Sequence, residues 1–329
     1  PSFALRNLGG TFPTHGSAGV PSHDAETTRD EMHQVFISPA RSTVLMIRML
    51  ALSTMVLVTA ASVASAAAVS YSGGTYSQNF DGLPIAASGN GISTVISGIG
   101  PHDFPTTGFM ASAGMAGWTM SNHAGSSVDT EYRAHNGIAS GNAGRGVVSF
   151  GTNGSSERAL GVLATSNQIS RFGVAFVNDS NVTYDEFTIE FTGEQWRRGN
   201  VPSPGNSLAY GYGITSNPLH NINTNAIFTG IGSFTSPNTQ ASPTEVALDG
   251  NLPANQVAVS ALVTGVNWTP GSTLFLRWTG QDINGQDDGL SIDNVGFTAR
   301  SSAVVPEPAS LALVGLAIGG LSCGLRRRK

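Results

Sequence analysis

The densest set of chemically capable side chains is the run Gln281-Asp282-Ile283-Asn284-Gly285-Gln286-Asp287-Asp288-Gly289-Leu290-Ser291-Ile292-Asp293-Asn294. Within it Asp282, Asn284, Asp287, Asp288 and Asp293 place five carboxylate or amide oxygens inside twelve residues. Hard oxygen donors crowded together are what Ca²⁺ takes, so calcium is the cofactor to which the sequence points, with these five as its ligands. The spacing is not that of an EF-hand, because Gly285 comes too early and no Glu closes the loop. The same residues could instead form an acidic turn whose side chains accept from nearby backbone N–H groups.

Other chemistry is thinner. Glu157, Glu190, Glu194 and Asp282 are the carboxylates on which a glycoside-hydrolysing pair would draw, and nothing in their spacing pairs them. His102, His123, His135 and His220 are scattered without the HxH or HExxH spacing of a metal hydrolase and are expected to face solvent on loops. There is no GxSxG elbow, P-loop or GxGxxG run, so no catalytic residue is assigned. Trp196 and Trp278 each stand in an alternating run and are expected in the core; exposed, they would instead be ligand residues of a sugar-stacking surface.

The elements that must position these residues are strands. Phe187, Ile189 and Phe191 alternate with Thr188, Glu190 and Thr192, while Leu274, Leu276 and Trp278 alternate with Thr273, Phe275 and Arg277. That period of two marks half-buried strands. Similar runs lie at Thr75 to Phe80, Ile92 to Ile96, Gly146 to Phe150, Arg158 to Ala164, Arg171 to Val177, Leu208 to Gly213, Gln256 to Val263 and Leu290 to Phe297. Between them stand Asp-Gly and Asn-Gly pairs such as Asp81-Gly82, Asn90-Gly91, Asn153-Gly154 and Asp249-Gly250, which tolerate positive φ. The pattern predicts an all-β, jelly-roll-like sandwich of two sheets, with Gly98 to Ser127 as a long surface loop.

Composition supports a secreted β protein. From Ala67 to Val304 there are 16 Asp and Glu against 8 Arg and no Lys, a formal charge of −8 that disfavours nucleic acid as a partner. The only cysteine, Cys323, lies near the C-terminus outside that body, so stability there must come from burial without a disulfide.

The two ends carry addresses. Met46-Ile47-Arg48-Met49, the apolar run Leu50 to Ala61 and Ala64-Ser65-Ala66 have the order of a signal peptide, so residues 46–66 are expected to be removed and the mature protein to begin near Ala67. Residues 1–45 are polar and aperiodic and are read as upstream or disordered sequence, 67–304 as the sandwich body and 305–329 as a C-terminal signal. In that signal Pro306, Glu307 and Pro308 form an extended peptide, Leu311 to Leu325 an apolar helix, and Arg326, Arg327, Arg328 and Lys329 a basic stop. Fifteen helical residues span only about 22 Å, short of the roughly 30 Å of a bilayer core, and the four cations help by holding the end on the cytoplasmic side.

The order VPEPAS, short apolar helix and terminal basic cluster resembles the PEP-CTERM sorting signal of Gram-negative bacteria. The resemblance covers about 25 residues. It implies export through the general secretory machinery, a membrane-held intermediate, recognition and cleavage by exosortase, and a cell-surface or extracellular destination near exopolysaccharide. It implies no activity. Gly289-Leu290-Ser291-Ile292-Asp293-Asn294-Val295-Gly296-Phe297 resembles the last strand of carbohydrate-binding jelly rolls, which there pairs with the first, here Tyr76 to Gly82. Glu157-Arg158-Ala159-Leu160-Gly161, Gly193-Glu194-Gln195-Trp196-Arg197 and Leu274 to Trp278 look like landmarks of a body found on other PEP-CTERM proteins and beside some secreted nucleases. Three function classes follow: a noncatalytic surface or matrix protein, a glycan-binding module, and a hydrolase of extracellular polymer.

Overall fold

The computed structural model describes residues 67–302, apart from 88–90, 97, 99, 125–130, 139–143, 165–167, 201–204, 238–244 and 284. Every described residue belongs to one compact unit. The stretches expected to be a signal peptide and a sorting tail lie outside the described residues. Among those residues no helix is long and apolar enough to cross a membrane.

Sixteen strands form two sheets among the described residues. They are β1 (Val69–Tyr71), β2 (Thr75–Gln78), β3 (Ile92–Val95), β4 (His102–Asp103), β5 (Trp118–Ala124), β6 (Glu131–His135), β7 (Gly146–Phe150), β8 (Ala159–Leu163), β9 (Gln168–Asn178), β10 (Tyr184–Arg198), β11 (Ser207–Thr215), β12 (Phe228–Thr235), β13 (Val246–Ala247), β14 (Gln256–Trp268), β15 (Thr273–Gln281) and β16 (Gly289–Arg300). The first sheet runs β12-β11-β15-β9-β5-β4, with β1 parallel to the end of β9. The second runs β13-β10-β16-β8-β7-β6-β3, with β14 also on β10 and β2 also on β16. The pairing of β16 with β2 joins Val295 to Gln78 and Phe297 to Tyr76, as the likeness of the last strand implied.

Period-2 patterning makes the core. Phe187, Ile189 and Phe191 of β10 and Leu274, Leu276 and Trp278 of β15 are all buried between the sheets. There the aromatic rings meet closely, with Trp278 stacked between Phe172 at 5.7 Å and Trp118 at 5.7 Å. Such pairs contribute about 0.5–1.5 kcal/mol each beyond the area they bury.

Two expectations are corrected. Gly98 to Ser127 is not one surface loop: it contains β4 and β5 and buries Phe104, Met110, Met115, Trp118 and Met120. Burial of those side chains outweighs the glycines that mark the stretch as irregular. Nor are the histidines all on exposed loops. His135 stands on β6, is 1% exposed, and its ring packs edge-on against Phe150.

β16 changes phase along its length. Leu290 and Ile292 face the core at its start, and Val295, Phe297 and Ala299 face it afterwards. The change is made by a bulge: Glu190 pairs with Gly296 and Thr192 with Asp293, leaving one extra residue on β16. Asn294 sits there, exposed, at φ 50, a conformation Asn adopts more readily than most residues. The bulge therefore leaves Asp293, with Ser291, on the outer face of the second sheet.

That outer face is itself covered at one end. Val148, Phe150, Leu163 and Trp196 form a second apolar cluster, separate from the core between the sheets. The connection Leu248 to Asn255 closes over it, with Leu248 donating its N–H to the Trp196 carbonyl at 2.9 Å. Gly250 lies against the indole so tightly that a Cβ there would fall 2.3 Å from Trp196 Cε2, which only glycine avoids.

Candidate metal centre

Beside that second cluster three carboxylates converge. Glu194 comes from β10, Asp293 from the bulge of β16, and Glu157 from the segment leading into β8. One carboxylate oxygen from each lies within 4.8 Å of the others. The strand register explains the meeting: Glu194 is opposite Ser291, two residues before Asp293, and Ser291 is in turn opposite Gly161 of β8. Glycine at 161 leaves no side chain in that row, and a Cβ there would strike the Leu290 carbonyl at 2.2 Å.

Each carboxylate is held by neutral donors. Glu194 Oε2 accepts from Trp196 Nε1 at 2.8 Å and from Ser291 Oγ at 3.4 Å, while Oε1 accepts from Gln256 Nε2 at 3.1 Å. Glu157 Oε2 accepts from Asn251 Nδ2, on the covering connection. Asp293 Oδ2 accepts from Asn294 Nδ2 at 2.6 Å. Asp293 Oδ1 has no hydrogen-bond partner although the residue is only 4% exposed. The nearest cation in sequence, Arg158, directs Nε and a terminal nitrogen to Ser149 instead.

The electrostatics follow. Burial, and then the charges of Asp293 and Glu157, push Glu194 up to about 8 against the pull of Trp196 and Gln256. Asp293 is pushed up to about 7, first by burial and further by Glu157 and Asp81. Glu157 is raised by burial and by Asp81 and Asp249, with Asn251 and Arg158 acting the other way. Dehydrated like charges at this separation need protons or a cation to offset them.

The arrangement has the donor chemistry to hold an ion and no room for a polymer. Glu157 and Glu194, named above as hydrolytic candidates, are brought together, but Glu194 is fully buried and the covering connection closes over it. A sugar chain has no path between them. Oxygen donors within 4.8 Å of one another fit the shell of Ca²⁺, whose ligands lie about 2.3–2.6 Å from the ion.

The acidic run divides. Asp293 joins Glu157 and Glu194. Asp288 is spent on donors from three segments: Gly199 N at 2.7 Å on Oδ1, and Ser236 Oγ at 2.6 Å and Asn206 N at 3.3 Å on Oδ2. Asp287 Oδ1 accepts from Asn206 Nδ2 at 2.7 Å and Ile283 N at 3.1 Å, and its carboxyl, near that of Asp282, is pushed up to about 7, first by burial. Asn284 lies outside the described residues. Glu190 is exposed and accepts from Ser260 Oγ at 3.2 Å.

Trp196 and Trp278 are corrected as ligand residues: at 0% and 1% exposure they offer no face to a sugar. Both are core, one in each apolar cluster. The histidines stay apart. His135 accepts from Gly137 N at Nδ1 and faces the Gly144 carbonyl at Nε2, His220 pairs with Thr215 and Asn217, and His102 faces Gly98 O. The side chain of His123 lies outside the described residues. Pro306, Glu307, Pro308 and the terminal Arg326 to Lys329 lie outside them as well.

No family model and no curated protein matches the chain. Among solved structures it is similar to the K1 cleaved adhesin domain of Lys-gingipain from Porphyromonas gingivalis W83, at 15% identity over 70% of this chain and 100% of that one, with a TM-score of 0.29. It is also similar to the CBM22-1 xylan-binding domain of Paenibacillus barcinonensis Xyn10C, at 8% identity over 70% and 98%, with a TM-score of 0.27. A third similarity is to the enzymatically active domain of bacteriophage CBA120 tailspike protein 4, at 11% identity and a TM-score of 0.27, covering 56% of this chain and 20% of the tailspike chain. At these scores the likenesses carry no argument about what this chain binds or does.

Proposed function

We propose that this chain is an exported, noncatalytic surface or matrix protein of a Gram-negative bacterium, delivered by its tail to exosortase and displaying a jelly-roll-like sandwich near exopolysaccharide. The observation that carries the reading is the ordered tail, Pro306-Glu307-Pro308, the apolar run to Leu325 and the basic end, following directly on the last strand of the body. Closure of the Glu157 and Glu194 pair to polymer supports the noncatalytic part. Expression of the full chain in a host that carries exosortase tests it. Mass spectrometry of the exported protein should find an N-terminus near Ala67 and no peptide covering Leu311 to Lys329. Soluble mature protein that retains Arg326 to Lys329 would refute sorting.

A glycan-binding role has one specific feature in its favour. On the outer face of the first sheet Ala209, Gly211, Gly230 and Thr279 line a cleft of about 110 Å³, beside Phe228 with the Arg277 guanidinium 3.7 Å from its ring centre. A floor nearly free of side chains lets a flat sugar approach the backbone, and the stacked Phe228 and Arg277 form one wall beside it. Retention of the chain on immobilised polysaccharide, reduced by Phe228→Ala, is the outcome expected of this reading, and equal retention of both proteins would exclude the cleft.

A further inference from the structure

We propose that Glu157, Glu194 and Asp293 bind one Ca²⁺, and that the ion clasps β10, the bulge of β16, the entry to β8 and the covering connection Leu248 to Asn255 into one unit. Two independent observations meet here. Three carboxylate oxygens from distant parts of the chain lie within 4.8 Å. One of those carboxylates, Asp293, is 96% buried with Oδ1 unpartnered, a state that costs free energy until something fills it.

The remaining contacts fit a ligand shell. A carboxylate offers about four lone-pair positions, so the single donors on Glu157 Oε2, on Glu194 Oε1 and on Asp293 Oδ2 orient each group and leave positions for an ion. All named donors are amide, indole or hydroxyl groups, none of which neutralises charge. Three anionic oxygens without nitrogen or sulfur ligands exclude a soft-metal preference and suit a hard cation. Mg²⁺ is disfavoured because it gives up its waters reluctantly and is usually held by one or two carboxylates, whereas three converge here.

The geometry also states what the ion does. Asn251, midway along the connection that covers Trp196, reaches Glu157, and Gln256, at the start of β14 just after it, reaches Glu194. An ion that fixes those two carboxylates therefore fixes the cover, and its loss frees the cover first. The ion site and the sorting tail are independent, so failure of either leaves the other standing.

Terbium luminescence on the full-length chain tests the site, because Trp196 donates directly to Glu194 and so lies next to any ion held there. Excitation through tryptophan should give saturable Tb³⁺ emission that Ca²⁺ displaces far more readily than Mg²⁺. The melting midpoint should be several degrees higher in Ca²⁺ than in chelator. Asp293→Asn should abolish both effects. Should that buried variant not fold, Glu157→Gln at a half-buried position carries the test, with an expected loss of about tenfold or more in Tb³⁺ and Ca²⁺ affinity. An equal midpoint in Ca²⁺ and chelator would overturn the proposal and assign the charge balance to protons. Tb³⁺ emission unchanged in Glu157→Gln would overturn it too, by placing the metal elsewhere.

Discussion

Asp288 and Asp293 are five residues apart, both carboxylates and both 4% exposed, yet they sit in opposite surroundings. Asp288 accepts from two backbone N–H groups and a hydroxyl, tying Gly199, Asn206 and Ser236 to the entry of β16. Asp293 keeps one oxygen unpartnered and meets two more carboxylates, supplied from 99 and 136 residues upstream. Distant segments brought backbone N–H and hydroxyl donors to the first; strand register brought like charges to the second. A buried acid whose two oxygens are both met by donors is a structural tie, whereas one that keeps an oxygen open beside two further carboxylates calls for a cation.

The largest effect that separates the two should come from Asp288→Ala. It strands two buried backbone N–H groups at about 1–3 kcal/mol each, while Ser236 Oγ can turn to the Asn206 carbonyl, so a loss of about 2–6 kcal/mol is expected. Denaturant unfolding should give that loss equally in Ca²⁺ and in chelator. A loss seen only with Ca²⁺ would make Asp288 a metal residue and erase the contrast.

Acid titration gives the next largest effect and separates a third buried group from both. His135 is lowered to about 4, chiefly by burial, with Arg133, Arg197 and Arg158 adding to the shift and Gly144 opposing it. Between that value and about 6.5 the unfolded chain binds a proton that the folded one does not, so stability is intact above this window and falls as pH drops through it. The loss amounts to at most about 3 kcal/mol, and His135→Gln should remove it. Asp287 acts with the opposite sign. Raised to about 7, it costs stability as pH climbs above about 3.8, as do Asp293 and Glu194, so the His135→Gln protein should weaken from pH 4 to 7 in chelator and Asp287→Asn should reduce that slope in part.

Calcium itself should rank third. At 100 times its Kd the ion stabilises the folded chain by about 2.7 kcal/mol, several degrees in midpoint for a domain of this size. The effect should persist in Asp287→Asn and vanish in Asp293→Asn. Persistence in the second variant would move the ion to the acidic run.

Much of the fold was legible from alternation: β7, β10, β15 and β16 lie where apolar residues recur every second position, and the β2 pairing was legible from the last strand's likeness. β5 and β12 were not. β5 reads Trp-Thr-Met-Ser-Asn-His-Ala and buries Ser121 and Asn122 with its apolar residues, while β12 reads Phe-Thr-Gly-Ile-Gly-Ser-Phe-Thr at a sheet edge, so neither shows a clean period. Glu157 and Glu194 were singled out for hydrolysis and Asp293 for metal, but what unites them is register plus a bulge. A signal for the bulge did exist. The apolar phase of Leu290 and Ile292 breaks at Asn294 and resumes at Val295 and Phe297, which throws Asp293 outward. A second signal is Glu194 itself, a carboxylate two residues from Trp196 where β10 is buried on both faces.

The smallest effect bears on where the site ends. Asp81 is exposed, accepts from Asn79 Nδ2 at 2.6 Å, and raises both Glu157 and Asp293 through its charge. If it acts only through space, Asp81→Asn should weaken Ca²⁺ binding about two- to threefold at low ionic strength, the scale of an exposed charge worth less than about 1 kcal/mol. Salt should abolish that difference, because an exposed charge is screened within about 10 Å at 0.1 M. If instead Asp81 swings onto the ion as a fourth ligand, the loss should exceed about tenfold and survive salt, since a coordinating oxygen inside a dry shell is not screened. Calorimetric titration of the wild-type and Asp81→Asn chains at two salt concentrations distinguishes these. The first outcome keeps the contrast with the acidic run as drawn, with Glu157, Glu194 and Asp293 doing the binding. The second extends the clasp to the segment after β2 and so ties both ends of the sandwich body to one ion.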